Sequence, residues 1–89
     1  MPTISIFYGI IITMNWGDHK PPHFHASYGG ARAIIRISDG EIMGGELPPA
    51  ATKMIKAWAL LRRAELEHNW TLMQTEQRFE RIAGPDGQG

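Results

Sequence analysis

Eighty-nine residues with a hydrophobic fraction of 43% make one small globular domain, too apolar for a disordered chain. Nine Lys+Arg balance nine Asp+Glu, three of each sign in residues 1–45 and six of each in 46–89, so no strongly cationic surface for nucleic acid is advertised. The absence of cysteine excludes disulfides and thiolate metal sites, and no apolar run approaches the about 18 residues of a membrane span.

In chain order, the first half reads as strands. "TISIFY" (3–8) and "IIITMNW" (10–16) are β-branched and aromatic and meet at Gly9. A single glycine is short for a standard hairpin, so two strands or one bent or bulged strand both fit. "HFHASY" (23–28) alternates, with His23, His25 and Ser27 on one face and Phe24, Ala26 and Tyr28 on the other. Gly29-Gly30 then signals a hairpin into "ARAIIRIS" (31–38), and Asp39-Gly40 a tight turn into "EIMGG" (41–45). Gly44-Gly45 reads as turn chemistry that launches a helix.

The second half reads as helix over 47–74, with Pro49 near its start, where a missing N–H costs little. Met54, Trp58, Leu61 and Glu65 follow helical spacing, widened by Ile55 and Leu66, and Trp58 is expected in the core. No stop signal decides between one helix and two. Arg62-Arg63 reads as a solvated helix face, and Phe79 and Ile82 as residues that dock on the sheet edge or await a partner. The expectation is an α+β fold: a small antiparallel, meander-rich sheet of four or five strands, with one or two C-terminal helices packed on one face. Residues 1–83 form the single domain and 84–89 a flexible tail.

The chemistry concentrates in "GDHKPPHFHASYGG" (17–30), where three of four histidines fall within seven residues. Pro21-Pro22 breaks regular structure between His19 and His23. His23 and His25, two apart on a strand, stand roughly 6.5–7 Å from each other along it and can line one pocket. Asp18 and His19 lie in a loop able to fold back on them. Three readings follow. Asp18, His19, His23 and His25 are donors of the right type for a metal. Alternatively the histidines give and take protons, Asp18 orients one of them, and Arg32 or Arg36 holds an anionic substrate beside Trp16. In the third reading the loop is a rigid histidine-bearing turn or docking surface.

The stretches "MPTISIFYGIIITM", "DHKPPHFHASYGG" and "DGEIMGGELPPAA", followed by a Trp-containing helix, resemble a small bacterial family known as domain of unknown function 4160. The likeness covers roughly residues 1–75. Its sharpest part is the D-H-x-P-P-H-F-H signature, complete here as Asp18, His19, Pro21, Pro22, His23, Phe24 and His25. The resemblance implies the toxin-like component of a bacterial toxin–antitoxin pair, partnered by an antitoxin protein of the domain of unknown function 2442 type.

The resulting expectation is a cytoplasmic, metal-independent ribonuclease or phosphodiesterase. His19, His23, His25 and Asp18 form its catalytic set and Arg32, Arg36 and Trp16 bind substrate. No metal or cofactor is required, RNA is the possible substrate, membranes play no part, and a homo-oligomer is possible. A non-catalytic protein-binding module and a histidine metal-binding protein are the alternatives.

Overall fold

Local alternation and turn chemistry build the first half of the chain into one sheet. In the computed structural model, which describes residues 2–87, five strands follow in chain order: β1 (Thr3–Phe7), β2 (Ile10–Thr13), β3 (His23–Tyr28), β4 (Ala31–Arg36) and β5 (Ile42–Glu46). They form an antiparallel meander in which every strand neighbours the next, and helices α1 (Pro49–Leu61) and α2 (Arg63–Thr75) follow. This is the expected α+β arrangement, with five strands and two helices.

The question left open at Gly9 has a simple answer. Phe7 pairs with Ile10, so the turn is the two residues Tyr8 and Gly9, with φ of 51° and 79°. Positive φ at both positions matches the twist of the flanking strands. Sequence alone did not place Tyr8 in the turn, because a tyrosine at positive φ is uncommon.

Gly44 and Gly45 do not launch the helix. They lie inside β5, Gly44 opposite Ile34 and Gly45 opposite Ala33. A Cβ at Gly45 would stand 2.3 Å from the carbonyl oxygen of Arg32, and its φ is +75°. Close backbone approach, not turn formation, demands glycine there.

α1 buries a different stripe from the expected one. Ala51, Ile55, Trp58 and Ala59 of α1 are buried, whereas Met54 and Leu61, expected on the core stripe, are exposed. α1 ends at Arg62, whose backbone (φ −103°, ψ 20°) leaves the helical region without proline or glycine. Arg62 is half-buried rather than solvated, and its Nη2 donates to the carbonyl of Gly84 at 3.0 Å. Arg63 is exposed and donates to the carbonyl of Ser38.

One face of the sheet carries the core. Phe24, Ala26, Ala33, Ile35, Phe7, Ile10 and Ile12 are buried with Trp58, Ile55, Leu66 and Met73. Trp58 lies 4.9 Å from Phe7 and 5.7 Å from Phe24, ring centre to ring centre. The segment after α2 returns across this layer. Asn69, buried, exchanges two hydrogen bonds with the backbone of Glu80, the N–H of Ile82 donates to the carbonyl of Ile4, and Trp58 Nε1 donates to the carbonyl of Ala83. Ile82 thus docks at β1. Within 84–89, Gly84 is buried and Gln88 and Gly89 lie outside the described residues.

Candidate functional site

Strand period sets the site. Phe24 is fully buried, so its neighbours His23 and His25 both face away from the core, as the alternation predicts. Pairing then fixes what stands beside them. Across β2, β3, β4 and β5 one row on the outer face is Thr13, His25, Ile34 and Gly44. The next is Ile11, Ser27, Arg32 and Glu46. His23 stands opposite Arg36.

The loop between β2 and β3 folds Asp18 onto the histidines. A single oxygen, Asp18 Oδ2, lies 3.2 Å from His23 Nε2 and 3.3 Å from His25 Nε2. The three donor atoms fall within 4.8 Å of one another. The side chains of His23, Asp18 and His25 are 12%, 23% and 26% exposed, so the cluster is partly open to water. Trp70 of α2 closes one side, its ring 5.3 Å from that of His23, and Gln74 donates to the backbone carbonyl of Asp18.

The hydrogen bonds leave an electrostatic conflict at the centre. His23 Nδ1 lies 2.8 Å from the carbonyl of Pro21, which can only accept, so Nδ1 carries a proton. In a neutral imidazole the lone pair is then on Nε2, pointed at a carboxylate oxygen. Two electron-rich atoms at 3.2 Å need something positive between them: a second ring proton or a metal ion. His25 Nε2 has a related difficulty, since it meets both Asp18 Oδ2 and the amide nitrogen of Asn15 at 3.2 Å. The other end of that amide, Asn15 Oδ1, is buried without a hydrogen-bond partner among the described residues. Turning the amide over would aim this oxygen at the same centre.

The expected site residues divide. Asp18, His23 and His25 converge. His19 is exposed and takes no part in the cluster. Arg36 donates from Nε to Asp39 Oδ1 at 3.1 Å, and Trp16, 46% exposed, packs beside Phe79 with ring centres 6.3 Å apart. Arg32 lines a cavity of about 410 Å³ on the outer face, together with His25, Thr13, Ser27, Ile34 and Gly44. Asn15 and Trp70 escaped the sequence reading. Asn15 lies two residues beyond Thr13, which pairs with His25, a register that the sequence alone does not fix. Trp70 carried no signal beyond helical spacing.

The family model of the Domain of unknown function DUF4160 matches residues 9–71. The chain belongs to the DUF4160 family. That match spans the histidine loop, β2 to β5, α1 and most of α2 of this DUF4160 protein. Neither a curated protein nor a solved structure matches the chain. Among the described residues no helix is long and apolar enough to cross a membrane.

Proposed function

We propose that this DUF4160 protein binds a divalent transition-metal ion through His23 Nε2, His25 Nε2 and Asp18 Oδ2. The observation that carries this reading is the pair of imidazole nitrogens converging within 3.3 Å of one carboxylate oxygen, with Nδ1 of His23 held by Pro21. A second hydrogen bond from the far ring nitrogen is how metal-binding histidines are oriented. A cation would relieve the repulsion between Nε2 and the carboxylate. Two histidines and one carboxylate leave coordination positions open, which distinguishes reactive sites from closed structural ones. An ion held there would supply Lewis-acid chemistry and lower the pKa of a bound water, the chemistry of ester and phosphoester hydrolysis.

Zinc titration with calorimetry, and metal content after dialysis, test it. One equivalent should bind to the wild type, and an Asp18→Ala/His25→Ala protein should bind none. A wild type that takes up neither zinc nor cobalt would end the reading.

A second reading draws support from Arg32, a cation lining the same cavity as His25. It keeps the metal-independent acid–base centre: one imidazole protonated against Asp18, the other neutral, and Arg32 on the phosphate of RNA. In that reading the protein is a cytoplasmic toxin neutralised by an antitoxin of the domain of unknown function 2442 type, as the family resemblance implies. Induced expression separates the readings. Growth arrest and RNA cleavage that survive chelator, and vanish in His23→Ala/His25→Ala, favour acid–base chemistry; activity abolished by chelator favours the metal.

A further inference from the structure

The cavity beside the cluster owes its shape to a glycine that the fold does not require. At Gly45 backbone packing excludes any side chain. Gly44 is different: its φ is unremarkable for an L-residue, and a Cβ there would meet only Ile34 Cδ1, at 3.9 Å. That is ordinary van der Waals contact, so a Cβ at 44 is accommodated. Its absence leaves the outer face of the sheet hollow beside β5, over Ile34, with His25 at one end.

Besides His25, the polar side chains around this hollow are unspent. Arg36, Arg62, Arg63 and Arg78 each hold a carboxylate or a backbone carbonyl. Arg32 holds none among the described residues, although Glu46 stands opposite it in the register. The hydroxyls of Thr13 and Ser27 are also without hydrogen bonds there. Arg32 is a diagonal neighbour of His25 across β3 and β4, which places the two Cβ atoms roughly 7–8 Å apart. One oxyanion group can span that separation, with a guanidinium fork at one side. Ile34, on the outer face, gives the floor an apolar surface for the rest of a ligand.

We propose that this groove binds a small organic oxyanion, a phosphate ester or a carboxylate with an apolar body, its charge held by Arg32. Resting on the metal reading above, one further oxygen of the same group reaches the ion held by His23, His25 and Asp18. The groove is thus the substrate side of the site, and Gly44 is the residue that keeps it open.

Phenyl phosphate and benzoate are suitable probes, titrated calorimetrically into zinc-loaded and zinc-free protein. Phenyl phosphate binding assigns the phosphate-ester class, and benzoate binding the carboxylate class. Arg32→Met should weaken the bound probe about tenfold or more, the worth of a charge-assisted hydrogen bond, with zinc affinity unchanged. Gly44→Val should abolish probe binding while the melting temperature and zinc affinity stay at wild-type values. If neither probe binds zinc-loaded protein, or if both variants bind the probe as the wild type does, the proposal is overturned while the zinc site stands. If zinc fails to bind but the probe still depends on Arg32 and Gly44, the groove stands and the ion is removed from it.

Discussion

Phe24 meets Trp58 edge-on, with ring centres 5.7 Å apart and ring planes at 88°. Phe24 is also the residue between His23 and His25, so this contact pins the strand that carries both imidazoles. Trp58 is 1% exposed. Trp58→Ala should therefore cost about 3–5 kcal/mol, enough to leave a domain this small largely unfolded. Trp58→Phe keeps most of the apolar contact but leaves the carbonyl of Ala83 without its donor, a loss of about 1–3 kcal/mol. Chemical denaturation of the two variants checks both values.

Binding of an ion to the folded chain alone would raise its stability by mass action. At a zinc concentration about a hundredfold above Kd the gain is about 2.7 kcal/mol, or about 10–20 °C in melting temperature for a domain of this length. His25→Ala should melt at the same temperature with and without zinc. Thermal melts in paired buffers read the difference.

The β4–β5 turn supplies a pH dependence. The backbone N–H of Glu41 and then the Arg36 guanidinium hold the Asp39 carboxyl below the usual carboxylate range. A carboxyl with a lowered folded-state pKa contributes stability above its unfolded pKa and loses it as pH falls through the folded value. Asp39→Asn should therefore melt below wild type at pH 7, and the gap should close as acid protonates Asp39. Melting temperatures of the two proteins between pH 7 and about pH 2 test the sign.

The two glycines of β5 should separate cleanly. Gly45→Ala places a Cβ 2.3 Å from the Arg32 carbonyl oxygen at φ +75°, and should destabilise by about 1–3 kcal/mol or prevent folding. Gly44→Ala should stay within about 0.5 kcal/mol of wild type. Equal effects at both positions, measured by urea unfolding, would contradict the register of β4 and β5.

Much of this was legible in the sequence because it rests on local rules. Alternation placed Phe24 inside and His23 and His25 together outside, and Gly29-Gly30 and Asp39-Gly40 marked two turns. What could not be read depends on contacts distant in the chain. The selection of Asp18 rather than His19 is tied to the loop's seat on α2, where Gln74 reaches the Asp18 carbonyl from 56 residues away. The break at Arg62 has no proline or glycine to announce it, and its side chain is anchored to Gly84. The exposure of Met54 and Leu61 follows from which side of α1 meets the sheet, the side that carries Ala51, Ile55, Trp58 and Ala59.

The return of the chain past β1 makes the two margins of the sheet unequal. At β1, a bulge between Thr3 and Ser5 interrupts the ladder, and the Ile4 carbonyl already accepts from Ile82. The margin at β5 has no such cover among the described residues. A chain that added a strand would find the open backbone margin at β5 and a partly used one at β1.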